Sequence, residues 1–241
     1  VKITNTGAEI YNYSVEGGRI TSRGVNWVMA EISVPKGETR RLKVSPPMEG
    51  PGKFTFAVLG DTRTGTHIHK RAQKMIAATK AVFVMNMGDI VNHGTEREYQ
   101  GYMREFDDFG LPVFVAIGNH ERAARGGFDR FAKYVNPYDY SFKVGGFNFI
   151  ILDNSSGYIG PARFARLEQQ ISSEKNNFVF MHIPPSCPYR QFDDHLMQSR
   201  EQRARFINLM KKYGARAVFM GHVHGYSKEV IGGVVYIISA C

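Results

Sequence analysis

Seven short apolar runs punctuate the chain after residue 53: FTFAVLG, AVFVMNMG, LPVFVAIG, FNFIILD, NFVFMHI, ARAVFMG and VVYIISA. Each is rich in β-branched and aromatic residues and too short for a buried helix, so all seven predict buried strands. Between them apolar residues recur at helical spacing, which predicts helices over 67–79, 96–109, 127–134, 161–173 and 198–213. The order is βαβα, with an antiparallel addition at YSFKVGGFNFIILD, whose Gly-Gly step suits a hairpin. An α/β fold follows.

Residues 1–50 have a different pattern. YNYSV, NWVMAEISV and TRRLKVS alternate apolar with polar positions and are separated by EGGR and PKGE, the chemistry of antiparallel strands and turns. SPPMEGPGK, at 45–53, reads as a turn-rich linker into the main unit. The predicted organisation is a small N-terminal β module over 1–50 and a larger domain over 51–241.

Composition adds one signal. Hydrophobic residues at 43% and charged residues at 22% are ordinary globular values, but the formal net charge is +9. That excess favours anionic partners: phosphorylated small molecules, nucleic acid or an anionic membrane surface, with an indifferent basic surface as the competing reading. The basic residues of 200–216 interleave with Phe206, Leu209 and Met210 at helical intervals, as on the solvated face of a helix. No interleaved stripe of basic and aromatic residues marks a nucleic-acid surface, so nucleic acid is not the favoured partner. No apolar run reaches the length of a membrane span. Cys187 and Cys241 have no metal-ligand spacing, and whether they pair is open. The start at Val1 reads as trimmed, and the apolar end VVYIISAC reads as a chain that continues. Together with the N-terminal module, this favours a periplasmic or secreted location over a cytoplasmic one without excluding the latter.

The chemistry collects where the apolar runs stop. Asp61, Asp89, Asn119, Asp153, His182 and His222 each stand at such an end, which is where open α/β sheets place their ligands. Helix capping is the competing reading for Asp61 and Asp89, and a turn for GNHE at 118–121. GHVH, at 221–224, adds His224. Asp61, Asp89, Asn119, His182, His222 and His224 offer oxygen and imidazole donors without a thiolate, a mixture suited to manganese, iron or zinc. Six groups exceed what one catalytic ion needs. A bridging carboxylate between two divalent ions would account for the surplus, and such a pair could hold a hydroxide for in-line attack on phosphorus.

The ordered set GD, GD, GNHE, H and GHVH resembles that of the calcineurin-like metallophosphoesterase superfamily, which includes purple acid phosphatases and phosphodiesterases, over about 53–241. The resemblance implies a sandwich of two mixed β-sheets flanked by helices, with metals at one edge and a phosphorylated small molecule as substrate. It also implies that Asp61 and His224 hold a first ion, that Asn119, His182 and His222 hold a second, and that Asp89 bridges them. His120 would stabilise or protonate the leaving oxygen, with Glu121 orienting its ring.

One position departs from the pattern. Family members commonly place a histidine two residues after the first aspartate, where this chain has Arg63. A guanidinium has no lone pair to donate, so Arg63 is no ligand; it is expected to bind a phosphate oxygen or to pair with a nearby carboxylate. Purple acid phosphatases supply a tyrosine three residues after the bridging aspartate. Here that residue is Asn92, so no charge-transfer colour is expected with iron, and Asn92 or His93 would be left to complete the first site. The irregular stretch 183–195 reads as a substrate-facing loop with Tyr189, Arg190 and His195 as specificity candidates. Phosphoric ester hydrolysis is the expected activity; an interaction module on the same fold, or a nuclease, is the alternative.

Overall fold

The computed structural model describes residues 2–4, 14–23, 27–41, 43–45, 53–106, 109–123, 125–135 and 137–240. Its N-terminal strands are β1 (Lys2–Thr4), β2 (Ser14–Glu16), β3 (Arg19–Arg23), β4 (Trp27–Glu31) and β5 (Lys43–Ser45). They form two small antiparallel sheets, β1-β4-β3 and β2-β5. EGGR therefore joins strands of different sheets rather than closing a hairpin. PKGE is a turn, with the Glu38 N–H on the Pro35 carbonyl at 3.0 Å. Residues 11–13 of YNYSV and most of the expected linker lie outside the described residues.

Two larger sheets follow. The first is β6 (Thr55–Leu59), β7 (Ala81–Asn86) and β8 (Val113–Val115), in that order. The second has six strands: β9 (Tyr140–Val144), β10 (Phe147–Ile151), β11 (Asn177–Phe180), β12 (Ala217–Met220), β13 (Tyr226–Ile231) and β14 (Val234–Ser239). Their order is β13-β14-β12-β11-β10-β9. Helices α1 (Thr66–Ala77), α2 (Glu96–Phe106), α3 (Gly127–Tyr134), α4 (Pro161–Ser172) and α5 (Arg200–Tyr213) make the crossovers. The six-stranded sheet is mixed, as expected, because hairpins add β9 and β13 antiparallel at its edges. The three-stranded sheet is wholly parallel, since a helix-containing crossover separates each pair of its strands. The Gly145-Gly146 step closes the β9–β10 hairpin with φ of 57° and 80°, angles that favour glycine at both positions.

Alternation along the strands builds three apolar layers. Phe83 and Met85 of β7 face Phe149 and Ile151 of β10 and Phe180 of β11 between the sheets, joined by Phe56 and Phe219. Phe56 and Phe83 stack at 5.5 Å, and Phe149 meets both edge-on at 5.4 and 5.3 Å. The intervening residues point outward: Val84 packs with Tyr99 and Phe131 of α2 and α3, while Ile150, Val179 and Val218 pack with Phe164 of α4 and Phe206 of α5. As the sequence suggested, Arg200 and Arg205 lie on the exposed face of α5.

Helix limits follow local chemistry. Ser199 accepts the Gln202 N–H at 3.2 Å, so α5 begins at Arg200 rather than 198. Thr95 and Glu98 form a capping box, with the Thr95 N–H on Glu98 Oε2 at 2.9 Å and the Glu98 N–H on Thr95 Oγ1 at 3.4 Å. α2 is described over Glu96–Phe106, and Phe109, where the sequence pattern carried the helix, is in a turn; 107 and 108 lie outside the described residues. β13, with Lys228 and Glu229 in its middle, had no apolar run to announce it. Among the described residues no helix is long and apolar enough to cross a membrane. Cys187 is a free thiol, and Cys241 lies outside the described residues.

Candidate metal centre

The loops after β6, β7, β8, β11 and β12 bring Asp61, Asp89, Asn119, His182, His222 and His224 to one edge of the two sheets. The capping alternatives do not describe the two aspartates: Gly65 precedes α1, and Thr95 caps α2. Instead the Asp61 carboxylate accepts the His222 N–H at 3.1 Å, and Asp89 Oδ1 accepts the His120 N–H at 3.0 Å. Among the described residues, the non-glycine positions with positive φ are Asp61 (60°), Arg63 (42°), Asp89 (52°) and His222 (68°). All four lie in this site, each at a cost of roughly 1–3 kcal/mol that the surrounding packing must hold.

Donor atoms of Asp89, His182 and His222 lie within 4.8 Å of one another, close enough for one cation to touch all three. Asn119 joins them, its Oδ1 lying 3.0 Å from His182 Nε2. His182 is fully buried and its Nδ1–H donates to the Met87 carbonyl at 2.6 Å, which turns Nε2 toward Asn119 Oδ1 and, at 3.3 Å, Asp89 Oδ1. Protonated, Nε2 donates to those oxygens; neutral, it presents a lone pair to them, an arrangement that a cation satisfies. Asp89 Oδ2 is buried without a hydrogen-bond partner among the described residues, which is costly for a carboxylate and fits a metal ligand.

The electrostatics agree. Burial alone would raise Asp89, but the charge and hydrogen bond of His182 override it and hold the carboxyl at about 2. Burial lifts Asp61 to about 6 and pushes His222 down to about 4. For His182, burial disfavours the charge, yet Asp89 and Asp61 raise it to about 9. Displaced acid and base groups cluster at functional sites, and these four share one sheet edge.

Two glycines are dictated by this crowding. A Cβ on Gly118 would stand 2.2 Å from Asp89 Oδ1, and one on Gly221 would stand 2.5 Å from Asp61 Oδ2.

The remaining expected residues divide. His120 donates from Nδ1 to the Asn92 carbonyl at 2.7 Å, leaving Nε2 3.8 Å from Asp89 Oδ2. Glu121 does not orient that ring. Its buried carboxylate accepts backbone N–H groups from Asp89 (2.9 Å), Ile90 (2.9 Å), Val91 (3.2 Å) and Gly118 (2.6 Å), tying the loops after β7 and β8 together. Asp153 turns away from the metal donors, to Ser155 and to Arg163 at 2.7 Å. Asn92 meets the site through its carbonyl, and the His93 N–H is bound by Glu98. His195 does reach the site, its ring 5.8 Å from that of His222, and Tyr189 lines a cavity of about 250 Å³ with His224. The Arg190 side chain lies outside the described residues.

Asn154 is a further member that sequence reading missed. Its Oδ1 accepts the N–H groups of His182 and Ile183 at 3.1 Å each, and its Nδ2 donates to the Ile183 carbonyl at 2.6 Å. The only signal was its place in FIILDN, beside Asp153.

The family model described as calcineurin-like phosphoesterase matches residues 54–226, which include every one of these donors. The chain belongs to the calcineurin-like phosphoesterase family. It is 24% identical over 240 residues to a phosphoenolpyruvate phosphatase of Allium cepa, covering 86% of this chain and 49% of that protein. It is 25% identical over 236 residues to purple acid phosphatase 1 of Ipomoea batatas, covering 81% and 47%. A third relative, named "Probable glycerophosphodiester phosphodiesterase GpdQ" in Arcobacter nitrofigilis, is 25% identical over 174 residues, covering 67% and 63%. The chain thus spans about half the length of the first two of these relatives and 63% of the third. In fold it is similar to the purple acid phosphatase PPD1 of yellow lupin, with a TM-score of 0.65 at 13% identity over 82% of this chain and 46% of that one.

Proposed function

We propose that this calcineurin-like phosphoesterase is a metal-dependent hydrolase of phosphoric esters. The observation that carries the reading is the convergence of donor atoms of Asp89, His182 and His222 within 4.8 Å of one another, on a buried aspartate whose Oδ2 accepts no hydrogen bond among the described residues. Asp89, Asn119, His182 and His222 would hold a divalent ion: manganese, iron or zinc by donor chemistry. When bound, such an ion supplies a Lewis acid for a phosphoryl oxygen and lowers the pKa of water.

The chain's own groups do the rest. His120, fixed through Nδ1 by the Asn92 carbonyl, has Nε2 3.8 Å from Asp89 Oδ2 and would protonate a departing ester oxygen. Arg63 borders a cavity of about 420 Å³ lined also by Arg97, Arg104, Glu98 and Glu105, an approach whose arginines outnumber its carboxylates and could receive a phosphorylated small molecule. The expected dinuclear centre would add the first ion, at Asp61 and His224 and with Asp89 shared. That ion requires the Arg63 guanidinium to leave His224 Nε2, which it meets at 3.2 Å.

The test is hydrolysis of paired aryl phosphate monoester and diester substrates by metal-stripped protein, before and after adding manganese. Turnover restored by metal supports the reading, and the ratio of the two rates separates phosphatase from phosphodiesterase. Metal bound without turnover on either substrate would instead favour the interaction-module alternative, for which the altered first site at Arg63 is the supporting observation.

A further inference from the structure

Arg63 Nη2 stands beside two of the three donors expected to hold the first ion, His224 and Asp89. It lies 3.2 Å from His224 Nε2 and 3.8 Å from Asp89 Oδ2, while His224 Nε2 lies 3.7 Å from Asp61 Oδ1. A guanidinium only donates, so the His224 nitrogen that would ligate a metal is here the acceptor of an arginine hydrogen bond. The contact is built in from the backbone. The Arg63 N–H is pinned to the Asp89 carbonyl at 2.8 Å, and its φ of 42° turns the residue back over the site. A guanidinium carries a positive charge that opposes a second cation among the same donors.

We infer that the Arg63 guanidinium takes the place of the first ion, so that the chain binds a single divalent ion, through Asp89, Asn119, His182 and His222, and offers Arg63 as the second cationic contact for the phosphate. This rests on the metal-dependent reading above. A delocalised single charge with several donors can grip two phosphate oxygens at once, whereas an ion at that position would also bind water. The centre is then asymmetric: a metal on the His182 side and an arginine on the His224 side.

The experiment is an ion count. Protein saturated with manganese, freed of excess and weighed by native mass spectrometry is expected to hold one ion per chain, with the electron paramagnetic resonance spectrum of an isolated ion. His224→Ala is expected to leave that count at one. Arg63→His, which restores an imidazole and removes the charge, is expected to hold two ions with an exchange-coupled spectrum; Arg63→Ala is the second variant should the histidine fold poorly, and the same rise is expected. Two coupled ions in the unmodified protein would overturn the inference and leave the hydrolase reading standing. A count that stays at one in both Arg63 variants would also overturn it. No bound ion at all would overturn both.

Discussion

The backbone N–H of Asp89 donates to Glu121 Oε2 across 2.9 Å, so the carboxylate at the centre of the site sits on a loop held by a second, fully buried carboxylate. Burial and the nearby Asp89 raise Glu121 to about 7, opposed by His182 and by the backbone N–H donors around its two oxygens. Glu121→Ala would leave those donors without an acceptor. The expected cost is at least about 3 kcal/mol of stability together with weaker metal binding. Thermal denaturation with and without manganese checks it. A fall in turnover at unchanged melting temperature would point instead to direct participation in the reaction.

Asn154 is expected to act on the metal through His182. Asn154→Ala removes the acceptor of two N–H groups and frees the loop that carries His182. Metal affinity should drop about tenfold, as is usual when the support of a ligand is lost, with about 2 kcal/mol of stability. Competition with a chelator of known affinity measures the first effect. Unchanged affinity would show that the Met87 carbonyl alone suffices to set the ring.

Metal affinity should rise with pH. Burial disfavours a charged His182, but Asp89 and Asp61 outweigh it and keep the ring protonated up to about pH 9, with neighbouring His222 held neutral. Because the folded pKa is raised from 6.5, this group's contribution to the stability of metal-free protein is full below about pH 6.5 and is lost as pH climbs through about 9. A metal needs the neutral ring. Binding therefore displaces a proton, and affinity should increase about tenfold per unit between about pH 7 and 9. Calorimetric titration in buffers of different ionisation enthalpy reports that proton directly, and a pH-independent affinity would contradict the assignment.

The aromatic seam is expected to carry stability without chemistry. Phe149 is fully buried against Phe56, Phe83 and Phe180, and Phe149→Ala should cost about 3–5 kcal/mol. Denaturant unfolding measures it. Turnover per folded molecule should be nearly unchanged below the melting transition.

The clustering of the candidate donors was legible in the sequence because they stand where apolar runs stop, and a run ending in GD, GNHE or GHVH places polar groups at a sheet edge whatever the details of packing. The long strands and most helix positions were legible for the same reason of period. The role of Glu121 was not, since proximity in GNHE suggested His120 as its partner, while its actual partners at 89–91 come from the end of another strand. Nor was the Arg63 contact with His224, which joins residues 161 positions apart. Charge interrupted the apolar pattern of β13 at Lys228 and Glu229, and an edge strand exposed on one side tolerates this because its pairing with β14 is through backbone.

The donor set is divided between the sheets by element type. Asp61, Asp89 and Asn119, the oxygen donors, follow β6, β7 and β8; His182, His222 and His224, the nitrogen donors, follow β11 and β12. An ion held by Asp89, Asn119, His182 and His222 would therefore be a rivet through the mouth of the sandwich, adding to hydrogen bonds such as His222 N–H to Asp61 and His182 Nδ1–H to the Met87 carbonyl that already cross it. Its removal should loosen the leaves first at that mouth, and amide exchange in the strand-end loops should quicken before it does in the middle of either sheet.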